Sequence, residues 1–259
     1  MEDVAPLELV TIPISHYCEK ARWALDRGGV PYVEEPHVQA IHIWYARRAG
    51  GGRTVPVLVT DGAILRDSTA ILEWVDVRLP EAERLYPPDR AREVRAVEED
   101  LDEGLGPEGR LWMYQQTLPV IDEMGPWALA GTPRWEQRLF DRASHVLDPV
   151  IRRYLGVDEA ASERALAHVE RTFDEIAARL ADGRPFLTGD TFTAADLTFG
   201  ALSSAVLIPE AYGSPLPPLD ALPAESAAVV RRLREHPAGA FATRLYAEER
   251  WVDREAREE

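Results

Sequence analysis

Three scarcities narrow what this 259-residue chain can be. It has one cysteine, Cys18, so no disulfide can close within the chain and a disulfide scaffold is excluded. Any disulfide would need a small thiol or another chain, and a reducing compartment is the expectation. No stretch approaches the roughly 18–20 uninterrupted apolar residues of a membrane span, and Glu2 and Asp3 stand where a secretory signal carries basic residues. The protein is therefore expected to be soluble and cytoplasmic. Positive charge is short too. Against 45 Asp and Glu there are 29 Lys and Arg, a formal charge of −16, which argues against nucleic acid or an anionic membrane as partner. Lys20 is the only lysine.

Common chemical signatures are also missing. His37, His42, His145, His168 and His236 have no spacing with Cys, Asp or Glu that builds a metal site, so no metal is expected. Gly50-Gly51-Gly52 precedes no helix and lacks a Lys-Ser/Thr pair, so it is not a phosphate loop. No Ser-His-Asp hydrolase elbow, internal repeat or low-complexity tract is present.

What is present is an alternating N-terminal third. Leu7 to Ile12 reads as a strand, and Tyr17, Ala21, Ala24, Leu25 and Gly28 form the apolar stripe of a helix, ended by Gly28-Gly29. Pro31 to Glu35 is a short second strand and His37 to Arg48 a weaker helical or irregular stretch. Pro56 to Thr60, the turn Asp61-Gly62 and Ala63 to Arg66 form a hairpin with the preferred two-residue turn. Asp67-Ser68 caps a helix whose Ile71, Trp74, Val75 and Leu79 form its buried stripe. The order is β-α-β-α-β-β-α over residues 1–82, an α/β domain. Proline and charge mark a linker at 83–89, and residues 90–259 read as a second domain that is all α. In it, Phe192-Thr193-Ala194-Ala195-Asp196-Leu197 is a helix start with a capping box and a hydrophobic staple, and a Pro-rich segment occupies 209–223.

Three places in the first domain belong together. Ser15-His16-Tyr17-Cys18 puts a hydroxyl and the chain's only thiol at a helix start, where unpaired N–H groups and the helix dipole favour anions, thiolates included. Val55-Pro56 leads into the third strand; if that bond is cis, Val55 turns its own N–H and C=O outward to pair with a peptide-like ligand. Asp67-Ser68 offers a hydroxyl, a carboxylate and unpaired N–H groups to a zwitterionic head. A zwitterion at one helix, a peptide backbone between and a thiolate at the other helix describe glutathione or something built like it.

On these residues the sequence resembles the glutathione transferase superfamily over nearly its whole length. Ser15 to Leu25 looks like the active-site segment of the serine and cysteine classes, Thr54-Val55-Pro56 like the cis-proline element, Asp67-Ser68 like the Glu/Gln-Ser clamp on the γ-glutamyl group, and Thr193 to Asp196 like the capping box. The resemblance implies a thioredoxin-like N-terminal domain followed by a helical-bundle domain, a homodimer, and glutathione or a related low-molecular-weight thiol as co-substrate. It gives Ser15 the catalytic role of donating to the bound thiolate. Val55 would pair with the cysteinyl backbone, and Asp67 and Ser68 would hold the γ-glutamyl end. Arg53, His42, Arg47 and Arg48 are candidates for the glycine carboxylate.

Simpler roles stand beside these. Ser15, Asp67 and Ser68 are ordinary capping residues taken alone, and Asp196 is a structural cap. Cys18 can be a small core residue, a low-pKa secondary thiol or the nucleophile itself. His16, where the family commonly has proline, is expected to be an exposed first-turn residue more readily than a base. Trp112 and Tyr114, with Met113, are candidates for lining the pocket of a small electrophile, or core residues. The leading expectation is a transferase that adds the thiolate to that electrophile. A thiol-dependent isomerase of the maleyl type uses the same first step, and a binding module that has lost chemistry is the non-enzymatic alternative, motivated by the departures at His16 and Asp67.

Overall fold

The computed structural model describes residues 7–251; in helix 134–155 the side chains at 144–148, 150, 151 and 154 lie outside that description, as do Glu2, Asp3 and the final residues to Glu259. The first domain runs β1 (Leu7–Thr11), α1 (His16–Arg27), β2 (Tyr32–Pro36), α2 (His42–Arg48), β3 (Val57–Val59), β4 (Ile64–Leu65) and α3 (Ser68–Asp76), the order expected from sequence. The sheet order is β2-β1-β3-β4, with β2 parallel and β3 antiparallel to β1 and β4 antiparallel to β3. This mixed sheet with its helices is the thioredoxin-like arrangement. The central β1 buries Leu9 and Val10 on opposite faces, as the two-residue period of a strand covered on both sides requires.

Local signals account for the element ends. Ser15 caps α1, and Gly29 leaves the helix in the left-handed region at φ 60°. Asp67 caps α3 by accepting from the Ala70 N–H at 2.7 Å. The hairpin turn differs from its expected form, because Gly62 is not among the residues with positive φ. It is closed by the Thr60 N–H, which donates to the Ala63 carbonyl at 2.9 Å, and by the Thr60 hydroxyl, which accepts from the Ala63 N–H at 2.9 Å. The stretch from His37, expected to be helical or irregular, is irregular up to Ala40 at φ 74° and helical from His42.

Beyond a short 3-10 turn at Glu81–Glu83 come α4 (Ala91–Glu103), α5 (Leu105–Thr117), α6 (Gly125–Ala128), α7 (Arg134–Leu155), α8 (Glu159–Leu180), α9 (Ala194–Leu207), α10 (Ala224–Glu235) and α11 (Pro237–Glu248). Within the 83–89 segment Leu85 and Tyr86 are buried, and the Leu85 carbonyl accepts from the Ala194 N–H that begins α9. The capping box forms as expected: Asp196 accepts from the Thr193 and Leu187 N–H groups at 2.9 and 2.7 Å. Among the described residues no helix is long and apolar enough to cross a membrane.

One apolar cluster runs through both domains, joining Leu9, Leu58 and Ile71 to Leu105, Phe199 and Leu202. Helix α1 lies at its centre, and its environment corrects the expectation of a single buried stripe. Lys20, Glu19, Arg22 and Trp23 on its other faces are buried as well, because the helical domain covers them. The charges are kept by pairing. Lys20 Nζ sits 2.8 Å from Glu98 and 2.6 Å from Asp102 of α4, and 3.1 Å from the Thr69 hydroxyl of α3. Glu19 is 2.6 Å from Arg250 and accepts from the Gly213 N–H at 3.0 Å.

Gly106 of α5 lies against the Tyr17 side chain of α1. Tyr17 donates to the Asp102 carbonyl at 2.8 Å, and a Cβ on Gly106 would overlap the Tyr17 hydroxyl. Gly106→Ala is therefore expected to cost about 1–3 kcal/mol by overpacking, read as a lower urea midpoint with an unchanged denaturant slope.

Candidate active site

A cavity of about 480 Å³ opens where the first domain meets the helical one. The first domain contributes the loop after β1 with the start of α1 (Ser15, His16), the start of α2 (His42) and the run Arg53-Thr54-Val55 before β3. From the helical domain come Arg110, Met113 and Tyr114 of α5, Met124 and Trp127, and Leu216-Pro217 of the Pro-rich segment. The two walls differ in character, one rich in backbone and small polar groups and the other largely apolar.

Ser15 faces this cavity from the first domain. Its backbone is extended, at φ −74° and ψ 120°, and its hydroxyl oxygen accepts from the Cys18 N–H at 3.4 Å. That bond uses the oxygen's lone pair and leaves the hydroxyl hydrogen free to donate to an anion beside it. Val55 and the cis bond to Pro56 stand at the same cavity, with Val55 half-buried and Pro56 buried beneath it. His42 is held in the wall by the Ala40 N–H, which donates to its Nδ1 at 3.1 Å, and burial pushes its pKa down. Arg53 is exposed at the rim. Asp67 is exposed and Ser68 buried at the start of α3; neither lines the cavity.

Cys18, in the first turn of α1, is fully buried, and burial raises its pKa although Arg22 and the Ser15 hydroxyl pull the other way. Of its three possible roles the structure supports the small core residue: a low-pKa thiol or an attacking nucleophile needs exposure and a lowered pKa.

His16 overturns the expectation of an exposed first-turn residue. It is 5% exposed, lines the cavity, and its Nε2 has no hydrogen-bond partner among the described residues. Burial first, then the positive charge of Arg110, lowers its pKa to about 3, so it is neutral near pH 7 and a poor proton acceptor. Between about pH 6.5 and 3 the unfolded chain takes up a proton at this position that the folded chain refuses, so His16 costs stability as pH falls through that window. His16→Asn is expected to flatten the loss of stability below pH 6.5 by up to about 1.4 kcal/mol per pH unit, measured by urea unfolding across pH.

The candidates on α5 separate by helical geometry. Arg110, Met113, Tyr114 and Thr117 follow the i, i+3, i+4, i+7 spacing of one face, and all four line the cavity. Trp112 lies on another face and is 3% exposed in the core, which corrects its candidacy for the pocket. Arg110 escaped the sequence reading; its spacing from Met113 and Tyr114 was the signal available. Glu136 of α7 had no such signal. Fully buried, it accepts from the Val38 N–H at 2.9 Å and bonds His37 at 2.8 Å, which pins the loop leading to Gln39, Ala40 and His42 at the cavity. Among the described residues no group of three or more His, Cys, Asp and Glu is arranged to hold a metal ion.

Family models of the glutathione S-transferase N-terminal and C-terminal domains match residues 9–83 and 159–202. No curated protein matches the chain by sequence. Similar solved structures include glutathione transferase GSTFuA3 from Phanerochaete chrysosporium, 18% identical with a TM-score of 0.62, over 97% of this chain and 100% of that one. The glutathione S-transferase CsGST63524 of Ceriporiopsis subvermispora, solved in complex with glutathione, is 17% identical with a TM-score of 0.59, over 96% and 99% of the two chains. Poplar glutathione transferase F1 is 16% identical with a TM-score of 0.60, over 95% of each. At these identities the likeness to solved structures is one of fold. The two glutathione S-transferase domain models thus match in chain order, N-terminal before C-terminal, on an architecture shared with these solved transferases.

Proposed function

We propose that this protein binds glutathione, or a low-molecular-weight thiol built like it, and transfers the thiolate to a small electrophile held against the helical wall. The observation that carries the reading is the meeting of Ser15, at the N-terminus of a 12-residue helix, with Val55 at the mouth of one interdomain cavity whose far wall is largely apolar. The thiol gives up its proton to solvent, since His16 is too weak a base to take it. Ser15 donates to the sulfur anion, aided by the positive end of the α1 dipole. The sulfur lone pair then forms the new bond to carbon. In a substitution the leaving group departs with its bonding electrons; in an addition the displaced π electrons take a proton from water.

The backbone of Val55, at the cavity, suits the cysteinyl unit of the tripeptide. Asp67 and Ser68 suit its γ-glutamyl end, and Arg53 at the rim and His42 in the wall suit its glycine carboxylate. Family resemblance adds that the enzyme is a cytoplasmic homodimer. Calorimetric titration with glutathione tests the binding step: saturable binding supports it, and at 100 times Kd the ligand should add about 2.7 kcal/mol of stability. Neither heat nor thermal shift at millimolar glutathione would contradict it.

A further inference from the structure

The cavity carries charge of one sign. In a chain with 45 acidic and 29 basic residues, its described lining contains Arg53, Arg110, His16 and His42 and no Asp or Glu. Arg53 is exposed at the first-domain rim, but Arg110 is half-buried on the α5 face, within the otherwise apolar wall. It makes no ion pair or hydrogen bond among the described residues, whereas the buried cations of α1 are each matched to carboxylates. The groups that feel its charge in the cavity are His16, Tyr17 and Tyr114. All three are neutral near pH 7, since burial holds both tyrosines above their ordinary pKa and His16 far below its own. The guanidinium is therefore uncompensated in a site that partly excludes water, where an unpaired charge is costly. A second group beside it lacks a partner, the Nε2 of His16, on a side chain more than nine-tenths buried.

We infer that the electrophile accepted by this enzyme carries an anionic group, a carboxylate, received by Arg110, with its apolar body against Met113, Tyr114 and Trp127. This inference rests on the proposed thiol-transfer reading and specifies its second substrate. A guanidinium presents N–H donors in a fork that matches the two oxygens of a carboxylate, and the pairing is strongest where water is partly excluded. Arg53 stands on the opposite wall, so the two cations can serve two different carboxylates, one on the thiol and one on the acceptor.

The test separates the two claims by binding alone. 4-Phenylbutyrate and its uncharged amide are titrated into the wild type and into Arg110→Met and Arg110→Lys, with glutathione titrated into the same three proteins. The wild type should bind the carboxylate more tightly than the amide. Arg110→Met should weaken the carboxylate by about tenfold or more, leave the amide and glutathione within about threefold, and Arg110→Lys should recover part of the loss. Equal wild-type affinity for carboxylate and amide, or an equal loss of both in Arg110→Met, overturns the inference. So does a variant that loses glutathione instead, which would assign Arg110 to the thiol. If glutathione fails to bind while phenylbutyrate binds in an Arg110-dependent way, the anion site stands and the thiol-transfer reading falls.

Discussion

Ser15→Ala is expected to lower the rate of glutathione conjugation on the order of 10- to 100-fold while changing glutathione affinity only a few-fold. One charge-assisted hydrogen bond is worth about 1.5–3 kcal/mol, and it is strongest when the sulfur carries full negative charge, so the loss falls mainly on the reactive thiolate. The serine also caps α1 through the Cys18 N–H, and removing that cap costs about 1 kcal/mol of stability. Ser15→Thr, which keeps a hydroxyl and a capping oxygen, distinguishes the two effects: it should retain much of the activity, whereas Ser15→Gly should keep most of the stability and little of the activity. Steady-state kinetics with urea unfolding on the three variants reads this directly. Activity that follows stability across the series, rather than the hydroxyl, would assign Ser15 to capping alone.

Lys20→Met should destabilise the protein by about 3–5 kcal/mol, a large share of the 5–15 kcal/mol that typically holds a domain. Lys20 is fully buried between the domains, and its ammonium is shared by Glu98 and Asp102 of α4 and by the Thr69 hydroxyl. The methionine fills the same space but leaves two carboxylates facing each other in a partly dehydrated site, with Asp102 already pushed above its usual pKa by burial. Neutralising them should repair much of the damage. The triple variant Lys20→Met, Glu98→Gln, Asp102→Asn is expected to recover a large part of the loss, because the penalty comes from stranded charge rather than from missing packing. A loss under about 1 kcal/mol for Lys20→Met, the size of a surface pair, would contradict this account.

The elements were legible wherever the rule is local. Ser15, Asp67 and the Thr193–Asp196 box each declare a helix start by a side chain that meets a backbone N–H within three residues, and the order of strands and helices followed from periodicity. The Val55-Pro56 element could be read because proline restricts its own neighbourhood. What escaped depends on distant partners. The apolar stripe of α1 gave no hint that Glu19 and Lys20 opposite it would be buried too. Their partners Arg250 and Asp102 lie 231 and 82 residues away. The composition of the Pro-rich segment 209–223 shows no role, yet Glu19 holds its Gly213 N–H and so brings Leu216 and Pro217 to the cavity. His16 and Cys18 look alike in a helix's first turn; that one reaches a cavity and the other enters the core is decided by the helix rotation against the second domain. Trp112 and Tyr114 are near neighbours in sequence, but the 3.6-residue turn puts them on different faces of α5.

The central claim is that the start of α1 stabilises a thiolate, and the titration of bound glutathione tests it most directly. The ultraviolet absorbance of the thiolate, followed against pH with the protein saturated by glutathione, should show the bound thiol ionising well below free glutathione in the wild type and moving back toward the free value in Ser15→Ala. Bound glutathione that titrates as it does in water, or that is unaffected by Ser15→Ala, would contradict the account.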